Sequence, residues 1–187
     1  MRGADTQNTI LDAVQSVIIR DGVAGTSMRQ VAQEADVSLG LISYHFDDKD
    51  RLIFEMFARA SEEIRAASIE AADAMEGPDE KVRAFIRGSF TDEFLDSDYL
   101  RLRVSLWAVA LTDPELAKVD VDHYRRYETV LGSFIAQARP RLTQREIDER
   151  CTNVGSLTNG LWLDWARFQN DGALERGLIL AEEIALA

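Results

Sequence analysis

The sequence is poor in several things, and each shortage removes a class of protein. It holds one cysteine, Cys151, in 187 residues, which excludes an intrachain disulfide and a thiolate metal cluster and leaves that residue to packing. Its two histidines, His45 and His123, stand far apart without the spacing of a metal motif, so no metal site is expected. The longest unbroken apolar run covers residues 106–111, against the roughly 18–20 residues a membrane helix needs. Asp5 and Asp12 interrupt the opening segment where the apolar part of a signal peptide would lie, and the expected compartment is the cytoplasm. No Ser/His/Asp set or phosphate-cradling glycine loop is present, so neither an enzyme nor a cofactor is expected. Positive charge is scarce as well: 21 basic residues face 33 acidic ones, a net charge of −12. That balance argues against a general nucleic-acid coat or a membrane-surface binder. Residues 1–46 carry a net −2 of their own, so any binding to a polyanion must come from a local surface.

What is present is apolar periodicity. Of the chain, 46% is hydrophobic, and apolar residues recur at spacings of three and four with no alternating runs, which predicts an all-α fold of about nine helices. The first is expected to start at Thr6 as N-cap, bury Ile10, Val14, Val17 and Ile18, and stop at Asp21-Gly22. Ser27 with Gln30 reads as a capping box opening a short second helix that ends at Asp36. Ser38 caps a third helix of about two turns, and Asp47 or Asp48 a fourth reaching about Met75. Gly77-Pro78 restarts the chain, and Ser97 opens a sixth helix that closes at Asp113-Pro114. A seventh reaches about Ala138, Thr143 and Glu146 form a second capping box for an eighth to Phe168, and the last runs from Ala173 to Leu186.

Two short helices joined by three or four residues, inside a three-helix unit, are the pattern of a helix-turn-helix. Val31, Ala35, Val37, Ile42 and Phe46 are spaced to hold the pair together, leaving Ser38, Leu39, Ser43, Tyr44 and His45 to face outward. Small hydroxyls and polar-tipped rings suit base edges and phosphates. Gly40 costs a helix about 1 kcal/mol relative to alanine, which points to a close approach by something such as a DNA backbone.

The stretch "TSMRQVAQEADVSLGLISYHFDDKDRLIFEMF", residues 26–57, resembles the DNA-binding signature of TetR-family transcriptional regulators: a capping Thr/Ser, a Val-Ala pair, Ala-x-Val-Ser, a glycine two residues on, an aromatic pair before Phe, and a Lys-Asp-x-Leu segment. The resemblance implies a homodimer with an operator-reading domain, residues 1–46, and an effector-binding and dimerisation domain, residues 47–187. It places Ser27, Ser38, Leu39, Gly40, Ser43, Tyr44, His45 and Lys49 on double-stranded DNA, Lys49 as a phosphate contact at a helix start. Two departures stand out. The family's turn glycine is replaced by Asp36, a residue that also takes the left-handed backbone but adds negative charge. Only Arg2 precedes the first helix, where the family commonly has a basic arm. Modest non-specific affinity and a marked dependence on the correct operator are therefore expected.

Aromatics gather in the C-terminal region, and polar groups share their helical faces. Tyr99, Arg103, Trp107, Tyr127, Asn159 and Trp162 are the candidates for a small-molecule site. Val154, Leu157, Leu161 and Trp165 form a stripe on the eighth helix and are the candidate dimer interface, with Gly155 and Gly160 allowing close helix approach. "SDYLRLRVSLWAVALTDPELAKVDVDHYRRY" followed by "NGLWLDW" is similar, more loosely, to the BetI-type, choline-responsive branch. Aromatics with Asp164 suit a quaternary ammonium, whereas Arg103 opposes a cation and favours an anionic or neutral ligand, so the effector stays unassigned. The reading is a ligand-responsive regulator, a repressor by family default, released from a palindromic operator by a small molecule. The alternative is a helical small-molecule-binding or scaffold dimer without operator binding.

Overall fold

The computed structural model describes residues 2–187, with residues 2–4 described by backbone alone; the side chain of Arg2 lies outside the described residues. Every regular element among them is helical: α1 (Arg2–Gly25), α2 (Met28–Glu34), α3 (Leu39–His45), α4 (Lys49–Asp73), α5 (Pro78–Gly88), α6 (Asp92–Leu95), α7 (Ser97–Ala110), α8 (Pro114–Ala138), α9 (Gln144–Phe168) and α10 (Asp171–Leu186). Nine of these match the expected helices. The single turn α6, which gives no periodic signal in four residues, is the addition. α1 starts before Thr6, with Asp5 in its first turn where a negative charge favours the helix. The expected stop at Gly22 is a break inside the helix: φ 73° and ψ 169° there lie outside helical values, in a region glycine reaches without strain.

The caps follow the chemistry of the residues. Ser27 Oγ accepts the Gln30 amide at 3.3 Å and donates to Gln30 Oε1 at 2.6 Å, so the reciprocal half of the box goes to the serine hydroxyl rather than its backbone. Ser38 accepts from the Leu41 amide, and Asp48 from the Arg51 amide at 2.8 Å. Thr143 and Glu146 make both halves of a capping box. Asn170 caps α10, which starts at Asp171, two residues before the expected Ala173.

Two compact units divide the chain, residues 1–61 with 101–121 and residues 62–100 with 122–187. In the first, Ile10, Val14, Val17 and Ile18 of α1 join Val31, Ile42 and Phe46 of the short helices and Leu52, Ile53, Met56 and Phe57 of α4 in one core. Leu102, Leu106, Leu116 and Val119, from α7 and the start of α8, complete it. The first unit thus recruits residues far from position 46 to bury helices too short to be stable alone.

In the second unit α10 packs on α9 and α5. Gly88 brings α5 against α4, since a Cβ there would stand 2.6 Å from the Ser68 Cα. Cys151 is buried, which pushes its thiol up to about 12, so it stays protonated and inert at neutral pH. The charged clamp of the unit is Glu182, 4% exposed, which accepts from Arg83 at 2.6 Å and Arg87 at 2.5 Å. Arg87 also forks onto Glu175 at 2.8 and 2.9 Å, and Arg139 onto Asp79 at 2.7 and 3.1 Å.

Replacing Glu182 by Gln leaves two guanidinium groups facing a neutral amide and should lower the unfolding free energy by about 1–3 kcal/mol, read from urea midpoints at neutral pH. Hydrogen bonds from Arg139 and Arg87 hold the Asp79 and Glu175 carboxyls below their ordinary 3.8 and 4.5. Their contribution is fully present above those ordinary values and is lost as pH falls through the lower folded ones. Stability should therefore drop with acid below about pH 4.5, less steeply in Arg139→Ala.

Candidate nucleic-acid interface

Everything about the short helices turns on the residue between them. Asp36 has φ 52°, the left-handed conformation. It closes α2 with the Val37 amide on the Ala32 carbonyl at 3.0 Å and the Asp36 amide on the Gln33 carbonyl at 3.3 Å, the paired bonds of a Schellman ending. Val37 then enters the turn half-buried, and Ser38 caps α3. Ile42 and Phe46, at the end of α3, turn into the core. The opposite face carries Leu39, Gly40, Ser43 and Tyr44, all exposed, Tyr44 by 82%. His45 is half-buried and meets the Tyr44 ring edge-on at 5.1 Å. A Cβ on Gly40 would have only Ser38 Oγ near it, at 3.9 Å, so nothing inside the chain demands glycine there.

Cations around this face are mostly committed. Arg20 pairs with Glu34 and Asp21, Arg51 with Glu55, and Arg59 with Asp12. Lys49 is half-buried, and its ammonium reaches the Ala24 carbonyl at 3.4 Å, on the last turn of α1. The Arg51 amide at the same helix start is taken by Asp48. Arg29 of α2 is exposed and in no ion pair among the described residues. Its isolation among paired arginines is invisible in the sequence, because it depends on which carboxylates fold next to which guanidiniums.

The residues expected to hold a small molecule divide between the units. In the first, Arg103 is 9% exposed, donates to Ser61 Oγ at 3.0 Å, and lies over the rings of Trp107 at 5.0 Å and Phe57 at 5.9 Å. In the second, Tyr99 and Trp162 are buried with ring centres 6.2 Å apart, flanked by Phe94 and Phe90. Tyr127 stacks at 4.8 Å on Phe85, its hydroxyl buried, and burial holds that phenol well above its usual range. Asn159 is exposed. Tyr124 fills the space a side chain at Gly155 would take, a pairing across two helices that no spacing in the sequence signals.

Comparison with known proteins places the chain in a family. The family model for bacterial regulatory proteins of the tetR family matches residues 10–56, and that for the C-terminal region of BetI-type transcriptional repressors matches residues 78–185. The chain belongs to the TetR family, with a C-terminal region of the BetI type. Among its curated relatives, the HTH-type transcriptional regulator BetI of Burkholderia mallei is 28% identical over 155 residues, 82% of this chain and 78% of the relative. Two solved structures share the fold. A transcriptional regulator from Pseudomonas aeruginosa has TM-score 0.85 and 23% identity, covering 98% of this chain and 90% of that one. One from Saccharomonospora viridis, solved in complex with choline, has TM-score 0.75 and 16% identity, covering 96% and 95%. This TetR-family chain is thus a DNA-binding transcriptional regulator and no enzyme, and no helix among its described residues is long and apolar enough to cross a membrane.

TetR-family regulators dimerise, and the stripe expected to serve that purpose is used inside this chain. Val154 is fully buried. Leu161 lies where a Gly177 side chain would be, against α10, and the Trp165 indole donates to the Leu95 carbonyl at 3.0 Å. Leu157 is half-buried. Of the stripe, Leu161 thus meets α10 and Trp165 meets α6 of the same subunit, and periodicity cannot tell such packing from a face meeting a twin. The apolar side chains left outward are Leu163 and Phe168 of α9 and Ile179 and Leu180 of α10. Gly160 has no neighbour within 4 Å of a built Cβ, so it permits no close approach within the subunit.

Asp36→Gly should stabilise the protein by about 1 kcal/mol through relief of the left-handed backbone. Asp36→Asn should leave stability near wild type, and both should strengthen non-specific DNA binding by removing a negative charge. Thermal melts and binding to random-sequence duplex separate the two effects. If Arg29 and Lys49 are the phosphate cations that each subunit supplies among the described residues, a dimer should show a log affinity against log salt slope of about −4, shallower in Arg29→Ala.

Proposed function

We propose that this regulator is a repressor that acts as a homodimer in the cytoplasm, binding a palindromic operator through residues 1–46 and releasing it when residues 47–187 bind a small molecule. The observation that carries the reading is the outward face of α3, Leu39, Gly40, Ser43 and Tyr44, fixed by the Asp36 turn and backed by Ile42 and Phe46. Two such helices in a dimer would enter successive major grooves about 34–36 Å apart. The outward apolar side chains of α9 and α10 supply the surface for pairing.

Release requires an effector that binds the DNA-incompetent spacing of the two heads more tightly than the competent one, and every 1.4 kcal/mol of that preference is about a tenfold shift. α4 contributes residues to both compact units and is the helix whose displacement would change the spacing. Buried rings of Tyr99, Trp162, Phe90 and Phe94 offer π-faces to an effector, and the choline bound by the Saccharomonospora neighbour makes that cation the first compound to try.

Purified protein is titrated against the promoter DNA beside its own gene over a salt series. Wild type should select one palindrome, and Ser43→Arg and Tyr44→Ala should lose it while keeping their helicity. Failure to select any DNA at low salt would sink the operator reading.

A further inference from the structure

The chemistry of the outward α3 face defines what it can read. Of the residues from Asp36 to Phe46, none is Arg, Lys, Asn or Gln. In the major groove, guanine is read by Arg or Lys, adenine by Asn or Gln, the cytosine amino group by a carboxylate, and the thymine methyl by apolar contact. Here the apolar contact is available: Leu39, at the first position of α3, is held 43% exposed instead of being turned into the core beside Ile42. Ser43 supplies a hydroxyl that suits either base, whereas the Ser38 hydroxyl is engaged by the Leu41 amide.

Leu39 and Ser43 are short, so they reach base edges only if the helix backbone sits deep in the groove. Gly40, one residue from Leu39 and with open space where its Cβ would be, leaves that approach unobstructed. The neighbouring cations fit the same division of labour. Arg29 lies on the preceding helix, exposed and unpaired among the described residues, placed to hold a phosphate and not a base.

We infer that the operator half-site is specified through thymine methyl groups, with Leu39 as the residue that reads them. The inference rests on the operator-reading function proposed above. A·T pairs therefore occupy the positions under α3, and no G·C pair there is fixed by a bidentate side-chain contact. The carboxylate of Asp36, set on the turn, is the competing reader, and it would fix a cytosine.

Half-sites are selected from a pool of random-sequence duplexes with the purified full-length protein, and each thymine of the winning half-site is then replaced in turn by deoxyuridine, which lacks the methyl. Loss of one buried methyl contact should weaken wild-type binding roughly three- to fivefold at the position under Leu39. Leu39→Ala should bind the parent half-site weaker by a similar or larger factor and be indifferent to the same deoxyuridine. Its melting temperature, read in parallel, should stay near wild type because the side chain lies outside the core. A half-site whose fixed positions are G·C, wild-type indifference to deoxyuridine at every position, or equal sensitivity in Leu39→Ala would each overturn the inference while leaving operator binding intact. Selection of no sequence at all removes the operator reading itself, and this inference with it.

Discussion

The orientation of the short helix α3 depends on a single left-handed residue, Asp36. Asp36 turns the chain out of α2 by satisfying two carbonyls of that helix, and the direction of α3 follows from it. Without that turn, Ile42 and Phe46 have no register in which both reach the core formed by α1 and α4, and the face carrying Leu39 and Ser43 has no fixed orientation. An aspartate carries the conformation at some cost relative to glycine, and it places a negative charge beside a surface meant for a polyanion. The family architecture tolerates this because the core on the other side of α3 holds the helix in place.

Charge is used as sparingly. A chain with net −12 carries few cations to spare for DNA, and Arg20, Arg51 and Arg59 of the reading unit are tied to carboxylates of that unit. In the proposed reading, phosphate attraction would supply little of the affinity, and discrimination would fall to short-range contacts between α3 and base edges. Such a regulator would bind weakly to non-specific DNA, a benefit when competing sites greatly outnumber the operator.

The second unit shows a different use of charge. Glu182 is buried at the α5–α10 contact between two arginines that are themselves partly in water, so the pair is satisfied without both partners being fully desolvated. Elsewhere in the unit, rings of Tyr99, Phe90, Trp162, Phe85 and Tyr127 pair with one another. α10 is thereby fixed to α5 by charge and to α9 by apolar packing, with Ile179 and Leu180 outward.

Much of this was legible in the sequence because the chemistry concerned is local. Ser38, Thr143 and Pro78 mark helix starts because their caps and ring constraints act within three or four residues, and the left-handed turn at Asp36 follows from the short helices on either side of it. The all-α class follows from a period of 3.6 that needs no partner to be visible. Four assignments depended on distant residues and were decided by tertiary structure alone. Within the stripe Val154, Leu157, Leu161 and Trp165, Leu161 lies against α10 and Trp165 bonds α6 of the same subunit, and an apolar period reports that a face is covered and not by what. Arg103 and Trp107 pack in the first unit while Tyr99 and Trp162 pack in the second, since α7 is divided between two cores. Lys49 is drawn to a carbonyl of α1, twenty-five residues away in the chain. Arg29 makes no ion pair among the described residues, while Arg20 joins Glu34 fourteen positions on, a fact about neighbours in space that no short spacing along the sequence encodes.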